Sequence, residues 1–204
     1  LLDGEAQAGL IFDIGGGSTE LSWVRPRANG APPEVAAWTS MPIGVVTLSE
    51  RFGGREISRA VYEEVVRAVR GEIAGFGDPA GLRDVFAAGG GHFLGTSGTV
   101  TSIAGVHLGL KRYDRRRVDG CWMMDDEVTD VMERLLAMSY DERVCNACIG
   151  AERADLVLAG CAILEAIRRA FPAGRLRVAD RGLREGMLVQ MMRADGVWRE
   201  AGLS

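Results

Sequence analysis

The chain has 204 residues, 47% of them apolar and 25% charged, the balance of an ordinary globular domain large enough to bury a substantial core. No apolar run approaches the ~20 residues of a membrane-spanning helix, and no basic-then-apolar leader opens the chain, so a cytoplasmic protein without membrane contact is expected. A net charge of −4 excludes a whole-molecule field for nucleic acid or any other polyanion, which would have to be held by local devices such as backbone N–H groups, helix N-termini, a metal and a few arginines.

Leu10 to Ile14 is an apolar run that reads as a buried strand, and Glu20 to Val24 alternates like a second. The cluster Gly15-Gly16-Gly17 lies between them. After a turn at 29–33, Val35 to Ser40 and Met41 to Leu48 read as extended segments ending in a helical turn near Phe52, so the opening third is an antiparallel meander of three strands. Helical periodicity follows, with Val61, Val65, Val69 and Ile73 at four-residue spacing. Asp84 to Ala88 is expected as a short strand entering a glycine-rich loop, Gly89 to Gly98, and a helix from Thr99 to about Gly109. Lys111 to Gly120 is a charged connection. Asp125-Asp126-Glu127 gives an acidic first turn to a helix that buries Val128, Val131, Leu135 and Met138. Ala151 to Ala170 is expected as a buried helix in which Gly160 permits close backbone approach. Leu176 to Ala179 is a last strand and Leu183 to Met192 a last helix. The whole predicts one α/β domain over residues 1–204, a mixed sheet flanked by helices.

The four cysteines, Cys121, Cys145, Cys148 and Cys161, do not form a disulfide framework in a chain of this length, and Cys145-Asn-Ala-Cys148 has no second pair to complete a zinc ribbon. Reduced, mostly buried thiols are expected. Lys111 is the only lysine; so arginine-rich a set of cations suits bidentate phosphate binding, and a coding bias accounts for it equally.

Two segments carry chemistry. In Asp13-Ile14-Gly15-Gly16-Gly17-Ser18-Thr19-Glu20 a buried strand delivers an aspartate to a turn. Its glycines allow consecutive N–H groups to converge on an anion, while Ser18 and Thr19 offer hydroxyl donors. Asp13 and Glu20 supply the hard oxygens that Mg²⁺ takes beside phosphate. The alternative is a hairpin whose glycines only satisfy turn geometry. The segment lacks the lysine of a Walker loop and the helix that opens a dinucleotide fingerprint. In Gly95-Thr96-Ser97-Gly98-Thr99, a strand-to-helix connection, N–H groups at a helix N-terminus could hold a second phosphate, or a Ser or Thr could simply cap the helix.

Five blocks, DIGGGSTEL, MPIGVVTLSERF, GTSGTVTSIAG, ERADLVLAGCAILEAI and DRGLREGML, span residues 10 to about 190. In order and separation they resemble the exopolyphosphatase/guanosine-pentaphosphate phosphatase (Ppx/GppA) family. The resemblance implies an actin-like, ribonuclease-H-like domain, the second half of a two-domain phosphatase. That enzyme would bind polyphosphate or guanosine pentaphosphate in the cleft between its halves and, with Mg²⁺, release terminal orthophosphate. It matches Asp13 and Glu20 to metal and water positions, Gly15, Gly17 and Ser18 to the phosphate loop, and residues 95–99 to the second loop. The block Gly182 to Gly186 is expected to pack beside the sheet, with Arg184 a lesser candidate for ligand contact.

Two departures from the family pattern are visible. The family's first domain and its upstream glutamate base have no counterpart before Leu10, so the chain by itself is expected to be nearly inactive and its partner-facing side bare, with a homodimer open to it. Asp119 stands where the family suggests histidine, so a family contact through that loop is not carried over. The rival readings are a non-catalytic nucleotide- or polyphosphate-binding module, and a kinase-like ATPase of the same superfamily, for which no adenosine signal is evident beyond Gly95 to Gly98.

Overall fold

The computed structural model describes residues 2–27, 33–77, 81–181, 191, 192 and 195. Strand β1 (Ala8–Ile14) alternates: Ala8, Leu10, Phe12 and Ile14 are buried while Ile11 and Asp13 are half-buried. It pairs antiparallel with β2 (Thr19–Arg25), which pairs antiparallel with β3 (Glu34–Met41), so the three-stranded meander forms as expected. Parallel strands β4 (Gly91–Thr96) and β6 (Arg175–Ala179) extend the sheet on the other side of β1, and β5 (Trp122–Met124) closes it antiparallel to β6. The six strands run in the order β3-β2-β1-β4-β6-β5.

The helices are α1 (Val45–Phe52), α2 (Arg59–Ile73), α3 (Leu82–Ala87), α4 (Gly98–His107), α5 (Arg115–Val118), α6 (Asp125–Ala137), α7 (Tyr140–Cys145) and α8 (Val157–Ala170). One apolar core joins sheet and helices. Within it Trp23 meets Phe86 and Phe171 edge-to-face at 4.9 and 5.5 Å between centroids, the offset geometry aromatic pairs prefer. Helix α8 is the central helix, buried along almost its full length, and Gly160 faces Thr99 of α4, where a Cβ would come within 2.5 Å of the threonine methyl.

Four expectations are corrected. Asp84 to Ala88 is helical, because Leu82 and Phe86, four apart, both enter the core. The strand is the segment read as loop, Gly91–Thr96; its glycines are there for packing, since a Cβ on Gly95 would lie 2.7 Å from the Phe12 ring and 2.9 Å from Val100. Met41 to Leu48 is not extended throughout. Helix α1 starts at Val45, overriding the β preference of Val45, Val46 and Thr47, because Val45 and Leu48 reach the core together. The buried helix begins at Val157 rather than Ala151, after a run of turns. The proposed last helix lies almost wholly, and Arg184 entirely, outside the described residues.

Candidate functional site

The parallel strands β1, β4 and β6 end side by side. Asp13 is in register with Thr96, and Thr96 with Ala179, so the residues that follow these strands converge on one edge of the sheet. In open α/β sheets that carboxyl edge is where ligands collect. A cleft of about 870 Å³ lies there, walled by Asp13, Ser97, Gly98, Tyr113, Arg153 and Asp180 among others. A second hollow of about 380 Å³ shares Asp13, Ser97, Gly98 and Arg153 with it and extends to Gly15, Gly16, Val46 and Leu156.

The β1–β2 turn is tight: the Gly15 N–H donates to the Ser18 carbonyl at 2.8 Å. Its orientation is set by α1. The Val45 and Val46 N–H groups donate to the carbonyls of Gly15 and Gly16 at 3.0 and 2.9 Å. In a planar trans peptide the N–H points opposite to the C=O, so fixing these two carbonyls toward α1 aims the N–H groups of Gly16 and Gly17 away from it, side by side. Two consecutive donors so aligned could take the oxygens of an anion. The approach needs Gly44, whose Cβ would fall inside the Gly16 carbonyl and 2.5 Å from the Gly17 nitrogen. The Gly44 N–H donates to the Thr47 hydroxyl at 2.9 Å, and the Thr19 hydroxyl donates to the Ile43 carbonyl at 2.7 Å, pinning the entry to α1. Thr19 is fully buried and committed to this brace.

Asp13 and Glu20 face each other in register across β1 and β2, and cross-strand partners share a face of the sheet. Burial and then the neighbouring Glu20 charge hold the Asp13 carboxyl above its ordinary range. One oxygen of Glu20 accepts from both Ser18 Oγ and Ser40 Oγ at 2.7 Å, which fixes the carboxylate. Ser18 therefore orients Glu20. Among the described residues no cluster of three or more His, Cys, Asp or Glu side chains could hold a metal. A facing carboxylate pair fits Mg²⁺, which takes one or two carboxylates and completes its shell with water and phosphate oxygens.

The second loop is built differently. Gly95 and Thr96 belong to β4, and Thr96 Oγ1 donates to the Arg181 carbonyl at 3.2 Å. Ser97 precedes α4 with φ 125° and ψ 167°, a region occupied almost only by glycine, and no other described non-glycine residue has positive φ. Its hydroxyl makes no cap. Ser97 Oγ is the one buried side-chain oxygen among the described residues without a hydrogen bond. It lines both hollows with Gly98; Thr99, the next residue, lines the smaller.

Arg153 was not among the expected site residues, because the sequence ERADLVLAG reads as one buried helix. It stands before α8, lines both hollows, and reaches the Gly98 carbonyl and the Ser102 hydroxyl at 3.5 and 3.3 Å. The available signal was a polar run, Glu152-Arg153 and Asp155, ahead of a long apolar one. Buried Arg143 fixes its neighbour, donating from Nε to the Ala154 carbonyl at 2.9 Å. Asp119, at the departure from the family pattern, braces the cleft wall: it accepts from the Asp180 N–H at 3.1 Å and from Arg181 at 2.7–2.8 Å. Cys148 and Cys161 are buried, Cys121 half-buried and Cys145 exposed; all four are free, so fewer thiols are buried than expected.

Comparison with known proteins places this geometry in context. Residues 2–195 match the model of the Ppx/GppA phosphatase family. The chain is 26% identical over 184 residues to the guanosine-5'-triphosphate,3'-diphosphate pyrophosphatase of Aeromonas hydrophila, covering 90% of this chain and 34% of that protein. It is 27% identical over 189 residues to exopolyphosphatase 2 of Mycobacterium tuberculosis, covering 89% and 55%. It thus spans between about a third and just over half of the length of these relatives. The crystal structure of the Aquifex aeolicus Ppx/GppA phosphatase, type II variant, superposes with a TM-score of 0.75 at 25% identity, over 92% of this chain and 58% of that one. An exopolyphosphatase-like protein superposes at 0.73 with 27% identity, over 91% and 60%. The six-stranded mixed sheet is that of the actin-like ATPase fold, and the chain belongs to the Ppx/GppA phosphatase family.

Proposed function

We propose that this chain provides one wall of a Mg²⁺-dependent phosphoanhydride hydrolase that removes terminal orthophosphate from inorganic polyphosphate or guanosine pentaphosphate. The observation that carries the reading is the meeting, at the carboxyl edge of three parallel strands, of a paired-N–H glycine turn, a helix N-terminus, Ser97 and Arg153 with two facing carboxylates. In this reading the Gly16 and Gly17 N–H groups hold the oxygens of the terminal phosphoryl group. The N-terminus of α4 and the Arg153 guanidinium receive the next phosphate, and Ser97 Oγ gains the partner it lacks. Asp13 and Glu20 hold Mg²⁺, which when bound neutralises phosphate charge. Water adds to the terminal phosphorus, the bridging P–O bond breaks toward the remaining chain, and the water's proton passes to a base.

With Asp13 and Glu20 engaged as metal ligands, that base and the opposite wall come from outside these 204 residues. The chain by itself therefore turns over slowly, since general base catalysis alone contributes ~10²–10⁴-fold. Four free thiols suit a reducing cytoplasm, and no described helix is long and apolar enough to cross a membrane.

The test is titration calorimetry of tripolyphosphate with Mg²⁺ into the wild type and the Asp13→Ala, Glu20→Ala double variant, alongside a phosphate-release assay. Binding confined to the wild type, with little release, supports the reading. Equal binding by both proteins removes the carboxylates from the site. Rapid release by the 204-residue chain refutes the need for an outside base.

A further inference from the structure

The charged connection that leads into α5 is not used by the phosphate site, and its composition is extreme. Between Lys111 and Arg117 five of seven residues are cationic and only Asp114 is acidic, on a chain whose net charge is −4. Lys111, Arg112, Arg115, Arg116 and Arg117 are all exposed. The strip is held in place rather than trailing. Asp114 caps α5 by accepting from the Arg116 N–H at 2.9 Å, and Val118 is buried beneath it. Tyr113 OH donates to Asp180 Oδ2 at 2.6 Å, and Arg115 Nε donates to the Asp180 carbonyl at 3.0 Å.

These contacts place the strip at the lip of the 870 Å³ cleft, of which Tyr113 and Arg115 form part of the wall and Asp13, Ser97 and Gly98 another part. Two of the acids at that wall are partnered as well. The Asp180 carboxylate is engaged by Tyr113 and lies 3.5 Å from Arg115 Nε, and Asp119 is paired with Arg181. Glu152 lines the cleft too and is exposed to solvent. A strongly anionic ligand extending from the glycine turn along this wall therefore leaves the cleft over arginines.

We infer that the 111–117 strip is a subsite for the distal part of a linear polyphosphate chain, so that the protein favours long inorganic polyphosphate over ligands with three contiguous phosphates, the triphosphate arm of guanosine pentaphosphate included. The inference rests on the phosphate-site reading above and adds a second, separable element to it. The strip carries no aromatic platform beyond Tyr113, whose hydroxyl is committed to Asp180. It offers forked donors and charge to a repeating anion and little to a nucleobase.

The test measures equilibrium binding of the 204-residue chain to long-chain polyphosphate, tripolyphosphate and a single-stranded RNA of matched charge, across salt concentrations. The comparison is with a triple variant, Arg112→Ser, Arg116→Ser and Arg117→Ser. None of the three lines the cleft and all are exposed, so folding should be unaffected, and the thermal midpoint checks it. Loss of the strip should weaken long-chain polyphosphate about tenfold. It should also lower the slope of log affinity against log salt by about two, as released counterions require. Tripolyphosphate affinity should stay within about twofold. If the wild type holds long chains and the triple variant holds them equally, the strip is only a solvated face and the inference fails while the phosphate site stands. If RNA binds as tightly as polyphosphate and loses affinity equally, the strip is a general polyanion surface and the inference also fails. If the wild type holds no polyphosphate at low salt, both readings fall together.

Discussion

The two ends of the parallel strands β1 and β4 are built to opposite rules. At the amino end the buried imidazole of His92 has both its ring nitrogens partnered. His92, fully buried at the start of β4, donates from Nδ1 to the Phe93 carbonyl at 2.8 Å and accepts on Nε2 from the Asp3 N–H at 3.1 Å. Its ring stands edge-to-face with Trp122 at 4.8 Å, and Asp3 pairs with Arg175 at 2.7 Å. At the carboxyl end, one strand length away, Ser97 is strained and its hydroxyl orphaned, and Asp13 sits against Glu20 with its carboxyl pushed up. His92 is held by the fold itself, whereas at the carboxyl end the Ser97 hydroxyl has no partner and two carboxylates face each other. Local rules are broken where a site is kept open.

The largest effect that sharpens this contrast is expected at Gly44. Gly44→Ala sets a Cβ against the Gly16 and Gly17 backbone, which cannot rotate aside as a side chain would. A loss of about 3 kcal/mol in urea unfolding is expected, together with loss of tripolyphosphate binding, because the turn can accommodate the methyl only by releasing Val45 and Val46. Unchanged stability and binding would mean that the N–H pair is not oriented by α1. Next comes the satisfied end. His92→Ala removes two hydrogen bonds and the ring beside Trp122, for an expected loss of about 2–3 kcal/mol with ligand affinity unaltered. A fall in affinity as large as that in stability would show that the two ends are not separable.

At Ser97 the sign reverses. Ser97→Gly should stabilise the protein by about 1 kcal/mol, since relief of a conformation costing about 1–3 kcal/mol outweighs the greater chain entropy of glycine. The same change removes a hydroxyl from the wall of both hollows, so affinity for tripolyphosphate should fall. A variant that is more stable and binds as well would take Ser97 out of the site; one that is less stable would mean that the strained backbone is not a cost.

How much of this could be read from the sequence follows from the same contrast. The Gly15-Gly16-Gly17 turn between two strands, the 61–73 helix and the acidic start at Asp125 are local patterns, and each formed where periodicity and turn chemistry place it. Strand β4 was hidden because Gly91 and Gly95 look like loop residues until the Phe86 and Phe12 rings that press on them are in place. The four-residue α5, three-residue β5 and six-residue α7 are too short to carry a period, and tertiary contacts hold them. The two carboxylates were legible from their positions at the ends of the turn. Arg153 was not, because its place depends on a helix that starts six residues later than the apolar run suggests. The strain at Ser97 leaves no mark in a sequence, since a serine before a helix is ordinarily an N-cap.

The smallest expected effects, and the finest separation of the two ends, come from pH. Burial depresses the His92 pKa below its ordinary value of 6.5, with Arg175 and Arg177 acting in the same direction and the Phe93 carbonyl and Asp3 opposing. The unfolded chain then takes up a proton near pH 6.5 that the folded chain refuses, so stability is full above that pH and declines as pH falls through the window below it. Asp13 has the opposite sign. Its folded carboxyl binds a proton more readily than the unfolded one, so it lowers stability at neutral pH, and the penalty fades as pH falls toward its raised folded value. Urea unfolding at a series of pH values from about 7.5 down to about 5 should show wild-type stability declining on the acid side. His92→Phe, which fills the site without titrating, should flatten the decline. Asp13→Asn should be more stable than the wild type at neutral pH, with an advantage that narrows in acid. If His92→Phe keeps the wild-type slope, the satisfied end is not the source of the acid sensitivity. If Asp13→Asn is no more stable at neutral pH, the facing carboxylates are not in conflict without a ligand between them.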